Sequence, residues 1–152
     1  MHNLKKIIII GDAGRGKSTL ALALSKKLGL PQYSTDDYFY EVKFSKPRDK
    51  EESIRDISKL YHKDRWIVEG TTEHLLRPGL DSADTIIYLT YTNILSQWFV
   101  LIKRFLIRKD ESIVELVKLM KHVLYKRYGL GHKKGKLTHK EVVAPYKDKV
   151  IL

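Results

Sequence analysis

Ile7-Ile8-Ile9-Ile10-Gly11-Asp12-Ala13-Gly14-Arg15-Gly16-Lys17-Ser18-Thr19 is the stretch whose reading decides the fold of this chain. Four consecutive β-branched residues predict a strand buried on both faces, as in the middle of a parallel sheet. Residues 11–18 then match G-x-x-x-x-G-K-[ST] in full, between a predicted strand and a predicted helix. Average glycine usage makes a chance match in a chain of this length roughly one in a few hundred. The chemistry requires these residue types. Inward-turned backbone N–H groups and the positive end of a helix neutralise a phosphate chain. Gly11, Ala13, Gly14, Arg15 and Gly16 supply the loop, and Gly14 and Gly16 let the backbone approach without a Cβ. Lys17 is expected on the β/γ-phosphates, Ser18 on Mg²⁺ and Thr19 near the α-phosphate. We expect Arg15 to face solvent or a phosphate. The loop therefore predicts binding of a nucleoside triphosphate, ATP in the first instance, as its Mg²⁺ complex.

Working outward, residues 17–28 predict a helix with Leu20, Ala21, Leu24 and Leu28 on one stripe and Gly29 as its stop. A short strand over 32–35 leads to Asp36 and Asp37. Residues 38–50 are aromatic and basic and read as a mobile insertion or lid base. A helix is expected over 49–63, and a strand at Trp66-Ile67-Val68 ending on Glu69-Gly70. A further strand is expected over 85–91, helices over 94–108 and 112–128, a Gly/Lys/His loop over 129–136 and a last strand over 149–152. The conformation of 71–80 is not legible. Strands alternating with helices predict an α/β fold with a mostly parallel sheet, whose ligands sit at the carboxyl ends of the strands. Residues 11–18, Asp36/Asp37, Glu69/Gly70 and Thr90/Thr92 all fall at such ends.

One aspartate after the second strand can accept a proton from a substrate hydroxyl or orient Mg²⁺. Only one of two consecutive side chains can point into the site. We take Asp36 as that residue, with Asp37 as the alternative; the structural reading of either is a turn residue or a helix N-cap. Glu69 is expected to hold Mg²⁺ through water or to contact substrate. Arg104 and Arg108 share a helix face, and phosphoryl transfer calls for mobile cations over the γ-phosphate, so one of them is expected in the active site. Lys17, Asp36, Arg104 and Arg108 are thus the candidate catalytic residues, and Ser18, Asp36 and Glu69 the candidate metal ligands. His132 and His139 lack the spacing of a zinc site.

The chain has 152 residues, suited to one domain spanning 1–152. The absence of cysteine excludes a disulfide framework and fits a reducing cytoplasm. The apolar run behind Lys5-Lys6 is too short for a signal peptide, and Ser96, Gln97, Lys103 and Arg104 interrupt the most apolar later stretch, so no membrane association is expected. Net charge is +11, and residues 103–140 hold 12 Lys/Arg against 3 acids, a local balance of +9. Such a field attracts nucleotide phosphates, nucleic acid or another polyanion.

The phosphate loop, Ser34-Thr35-Asp36-Asp37-Tyr38, Trp66-Ile67-Val68-Glu69-Gly70, Ala83-Asp84-Thr85-Ile86-Ile87-Tyr88-Leu89 and the Arg-bearing helix together resemble a nucleoside/nucleotide kinase of the adenylate kinase-like group. Within it, the chain most resembles the DNA topology modulation (FlaR-related) kinases. The resemblance implies a three-layer P-loop NTPase fold with a parallel five-stranded sheet in the order 2-3-1-4-5. It also implies phosphoryl transfer from ATP and a helical, basic lid at about 104–140. The chain departs from that pattern in carrying Glu69-Gly70 for Asp-Gly, Thr90 for Asp, and Phe99 for an arginine, which leaves any lid role to Arg104 and Arg108. Relatives continue past strand five through a base-contacting loop and a covering helix. A homodimer or other partner over the last strand, or a weakened base preference, is therefore expected.

Three activities fit these residues. The first is an ATP-dependent kinase acting on a nucleotide, nucleoside or similar small acceptor. The second is a polynucleotide 5′-kinase, since Asp36-Asp37-Tyr38 is similar to the motif of phage-type polynucleotide kinases and the basic 103–140 segment suits a nucleic-acid backbone. The third is a nucleotide-dependent nucleic-acid-binding or regulatory protein with little turnover.

Overall fold

Ile7, Ile8, Ile9 and Ile10 are all buried in the computed structural model, which describes residues 4–42, 45–90, 94–107, 113–114, 116–118, 120–121 and 138–151. Their side chains alternate between two cores. Ile8 and Ile10 join one cluster with Trp66, Val68 and Ile86, while Ile7 and Ile9 join another with Ala21, Leu30 and Ile67. This is the pattern of a strand covered on both faces. The strand, β1 (Lys6–Gly11), pairs in parallel with β5 (Trp66–Gly70) on one side and β6 (Thr85–Leu89) on the other. β2 (Gln32–Ser34) extends the sheet beyond β5, and β7 (Val150–Ile151) extends it beyond β6, both in parallel. The sheet order is β2-β5-β1-β6-β7. Counting only its strands along the chain, that is the 2-3-1-4-5 order the resemblance implies.

Helices lie on both faces. α1 (Lys17–Leu28) packs Leu20, Leu24 and Leu28 against the Ile7/Ile9 core. It stops at Gly29, whose φ of 63° lets its N–H reach the Ser25 carbonyl. The opposite face carries α3 (Lys50–Tyr61), α4 (Glu73–Leu80) and α6 (His139–Val143), through Ile57, Leu60, Leu75, Leu76, Leu80 and Val142. Asp49 caps α3 by accepting the N–H groups of Glu51 (3.0 Å) and Glu52 (3.1 Å). A 3₁₀ turn (Ala144–Lys149) joins α6 to β7.

Several segments differ from the sequence reading. Where 38–50 reads as an insertion, Ser34 caps a short α2 (Thr35–Phe39), and a two-stranded antiparallel ribbon follows, β3 (Tyr40–Val42) with β4 (Lys46–Pro47). Pro47 lacks a donor, which a short edge strand tolerates. The 71–80 stretch, not legible because Pro78-Gly79 reads as a breaker, is α4, with Pro78 inside it. α6 begins at a capping box in which Thr138 and Glu141 bond reciprocally, a signal present in Thr138-His139-Lys140-Glu141. The sixth strand ends at Leu89, short of Tyr91. α5 (Ile94–Ile107) follows as expected, whereas most of the 112–128 helix and all of the 129–136 loop lie outside the described residues.

Candidate functional site

The loop 11–16 leaves β1 at the carboxyl end of the sheet and turns into α1. Gly14 and Gly16 hold φ values of 75° and 76°, a left-handed conformation that a residue with a Cβ adopts at a cost. Gly16 is the N-cap of α1 and faces open space. Gly14 is covered from outside by Leu101 of α5, whose side chain occupies the place a Cβ would take. α5 therefore braces the loop, although its arginine was the expected contribution.

Lys17 is buried, and its Nζ donates to the Asp12 carbonyl at 3.0 Å. The ammonium is thus held across the loop at the start of α1. Ser18 Oγ donates to Glu69 Oε1 at 2.9 Å. Glu69 is itself buried at the end of β5, so the partnership joins the helix start to the neighbouring strand. A cleft beside this pair is lined by Ser18, Gln32, Tyr33, Ser34, Asp37 and Glu69. It gathers the carboxyl ends of β2 and β5 next to the loop, where an open α/β sheet places its ligands.

Of the two consecutive aspartates, Asp37 lines the cleft and Asp36 does not. The reason lies in the cap. Ser34 Oγ accepts the Asp36 N–H at 3.3 Å and starts α2, and successive side chains of a helix point about 100° apart. Asp36 is half-buried on the next bearing; burial first, and then its charge, raise the Tyr40 phenol above its ordinary value. Thr35, fully buried, fills the space beside Gly70, where a Cβ would collide with Thr35 Oγ1. Gly70 thus serves close packing of α2 on β5.

Of the two expectations for Arg15, solvent is not its environment. Its guanidinium donates to Asp12 Oδ2 at 2.9 Å instead of facing solvent, because a side chain only 10% exposed needs a carboxylate and Asp12 stands three residues away. Asp12 also meets His139, whose Nδ1 lies 3.4 Å from Asp12 Oδ1 while its Nε2 lies 2.9 Å from the Thr71 carbonyl. Neither Asp12 nor His139 stands among the residues the sequence nominates. The i,i+3 spacing of Asp12 and Arg15 was a readable signal; the reach of His139 was not. Thr19 is exposed on the first turn of α1 and Ala13 is partly exposed in the loop. Arg104 lies on α5, but its side chain, like all of Arg108, falls outside the described residues.

The geometry fits a triphosphate with a small hard cation. Gly14 and Gly16 turn the loop through left-handed backbone, and one ammonium crosses it. Mg²⁺ is commonly held by one or two protein oxygens plus phosphate and water, and Ser18 and Glu69 are the residues that could hold it here. Among the described residues no group of three His, Cys, Asp or Glu forms a protein-only metal site. Nor is any described helix long and apolar enough to cross a membrane.

No protein-family profile matches the sequence. Over 67 residues the chain is 40% identical to a Bacillus subtilis (strain 168) protein described as "Uncharacterized protein YqaC", a match covering 43% of this chain and 38% of that protein. The chain thus spans well under two thirds of the relative it matches. Among solved structures, a shikimate kinase from Bacteroides thetaiotaomicron superposes with a TM-score of 0.55 at 19% identity, over 84% of this chain and 80% of that one. A shikimate kinase from Acinetobacter baumannii in complex with shikimate gives 0.54 at 17%, over 95% and 90% of the two chains. A gluconokinase from Sinorhizobium meliloti 1021 gives 0.54 at 14%, over 90% and 81%. The fold is that of the P-loop kinases. At these identities the likeness concerns architecture alone and does not single out the topology-modulation group.

Proposed function

We propose that this chain is an ATP-dependent phosphotransferase that moves the γ-phosphoryl group to a small hydroxyl-bearing acceptor in the presence of Mg²⁺. The observation that carries the reading is the Ser18–Glu69 hydrogen bond at 2.9 Å beside a phosphate loop crossed by the Lys17 ammonium. A carboxylate beside the phosphate-loop serine is how P-loop NTPases hold Mg²⁺, and the cleft next to it leaves room for an acceptor. The kinase activities named for the structural neighbours support the same class.

In this reading the loop amides and the N-terminus of α1 hold the phosphates, and Lys17 bridges the β- and γ-phosphates. Ser18 and Glu69 would hold Mg²⁺, the first directly and the second through water, and the ion would supply neutralisation of phosphate charge. Asp37, in the cleft, orients the acceptor hydroxyl and takes its proton as the oxygen attacks phosphorus; the bond to the bridging oxygen breaks and ADP leaves with the electron pair. Asp36, which does not line the cleft, stands as the alternative to Asp37, only one of the two entering the site, and Arg104 or Arg108 stabilises the transferred group. The acceptor is a nucleotide, a nucleoside or a comparable small hydroxyl compound.

The test is a transfer assay with γ-labelled ATP and Mg²⁺ against panels of nucleosides, mononucleotides, sugars, hydroxy acids and 5′-hydroxyl oligonucleotides. Label should move to one small-molecule class and not in Lys17→Ala. Absence of calorimetric heat with every triphosphate at millimolar Mg²⁺ would overturn the reading. The +9 balance of residues 103–140 favours polynucleotide as a second acceptor or ligand. That reading demands transfer to oligonucleotides, or binding that falls steeply with salt.

A further inference from the structure

We propose that His139 is a positioning residue for nucleotide binding: from the first residue of α6, its imidazolium holds the Asp12 carboxylate of the phosphate loop while anchored on the Thr71 carbonyl just past β5. The inference rests on the phosphate-loop reading above and adds a residue to it. His139 is only 5% exposed, so its ring nitrogens meet protein, not water.

The partners decide its charge. Nε2 lies 2.9 Å from the Thr71 oxygen, and a carbonyl only accepts, so Nε2 carries a hydrogen. Nδ1 faces Asp12 Oδ1 at 3.4 Å. In the neutral ring with its hydrogen on Nε2, the Nδ1 lone pair would confront a carboxylate. In the protonated ring an N–H confronts it instead. Both contacts are attractive only for the imidazolium.

Asp12 is where the loop's cations meet. One side-chain oxygen takes Arg15 at 2.9 Å, the other faces His139, and the main-chain carbonyl accepts Lys17 Nζ at 3.0 Å. Release of the carboxylate by His139 therefore loosens the peptide on which the Lys17 ammonium rests. Tyr88 and Glu141 are further titratable neighbours. Tyr88, on β6, has its phenol raised by burial first and by the Asp12 charge second, with Arg15 opposing. Glu141, on α6 itself, is engaged with the Thr138 N–H and hydroxyl at 2.6 and 2.8 Å. As pH rises through the imidazole range, Nδ1 loses its hydrogen, the contact with Asp12 turns repulsive, and nucleotide affinity falls.

The experiment measures affinity for a Mg²⁺-loaded, non-hydrolysable ATP analogue from about pH 6 to about pH 9, across the imidazole range. The proteins are wild type, His139→Gln, Asp12→Asn and the double variant. Gln keeps a donor for the Thr71 carbonyl but has no titrating group. Wild-type affinity should fall about ten-fold more over that range than that of His139→Gln, the lower end of what one charge-assisted contact is worth. The ligand's own titration is common to both proteins and cancels. The two single losses should also be non-additive in the double variant at the acid end. Parallel pH profiles, or additive losses, overturn the proposal. Should His139→Gln fail to fold, Asp12→Asn breaks the same contact from the loop side and should flatten the profile alike; an unchanged profile there overturns it. Wild-type protein that binds no nucleotide at any pH removes the phosphate-loop reading and this inference together, whereas normal wild-type binding with parallel profiles removes this inference alone.

Discussion

The Lys17 ammonium is buried with its Nζ on the Asp12 carbonyl, an arrangement that sets a positive charge where a phosphate chain lies along the loop. Alanine at this position removes the charge and keeps helix propensity. We expect Lys17→Ala to lose roughly 10²–10³-fold in turnover, as removal of a preorganised electrostatic group does, with an unchanged far-UV circular dichroism spectrum. Glu69 acts one step removed, through Ser18. Replacing it with Gln keeps an acceptor for the Ser18 hydroxyl but discards the charge. The Mg²⁺ concentration for half-maximal activity should rise about ten-fold in Glu69→Gln, as for a lost outer partner of a metal ligand, while affinity for metal-free nucleotide stays level. Equal Mg²⁺ titrations for the two proteins would remove Glu69 from the metal site. Both residues were readable from the sequence, Lys17 by motif and Glu69 by its place after a buried strand. Their mutual arrangement was not, because Ser18 and Glu69 lie 51 positions apart and meet only when β5 pairs with β1.

At the scale of elements, close packing of helices on the sheet leaves little room for change. Gly70 ends β5 against Thr35 of α2, and an added Cβ would collide with the Thr35 side chain. Gly70→Ala should cost about 1–3 kcal/mol, the usual penalty for overpacking, read as a lower denaturation midpoint with an unchanged m-value. Tyr61 joins α3 to α4 by donating its hydroxyl to the Leu75 carbonyl at 2.8 Å, with Trp66 edge-on at 5.1 Å. Burial, reinforced by Tyr38, drives its phenol pKa far above the ordinary value. Below pH 10 both folded and unfolded chains keep the proton. Above it the unfolded chain releases its proton and the folded chain retains it, so stability falls as pH rises, by up to about 1.4 kcal/mol per pH unit from this group. Tyr61→Phe should cost about 1 kcal/mol at neutral pH and shed that part of the alkaline slope in urea titrations. The limits of α1 were legible because a motif starts it and a glycine stops it. α4 was not, since Pro78 and Gly79 signal a break locally, while Tyr61 packs on Gly79 from α3 and the helix's own leucines are buried in the core.

For the whole molecule, the sheet order sets β5 beside β1, and the chain leaves β1 toward the β2 edge but leaves β5 toward the opposite one, which opens a crevice at their carboxyl ends. The loop, Glu69 and Asp37 all border that crevice. A ligand that binds only this assembled state stabilises the fold by mass action. At about 100 times its dissociation constant, Mg²⁺-ATP should add about 2.7 kcal/mol and raise the melting temperature by roughly 5–10 °C. A melting temperature indifferent to nucleotide would contradict binding at the sheet's carboxyl edge. The +11 charge gives a second whole-molecule readout. Mononucleotide binding should weaken only gently with salt, whereas a polynucleotide lying along the basic segment should weaken steeply with the number of phosphates it places there.

The unbroken run of β-branched residues and the glycine–lysine–serine motif behind it sufficed to specify a central parallel strand, the loop and the helix that follows. Each is written in neighbouring residues, and backbone preference acts over a few positions. Tertiary structure alone decided that Asp37 enters the cleft and that Leu101 and His139 close on the loop from distant helices. Those outcomes depend on the angle at which α2 leaves its cap and on where two remote helices pack. Such choices are made by burial and partner satisfaction across the whole sheet, and no local spacing encodes them.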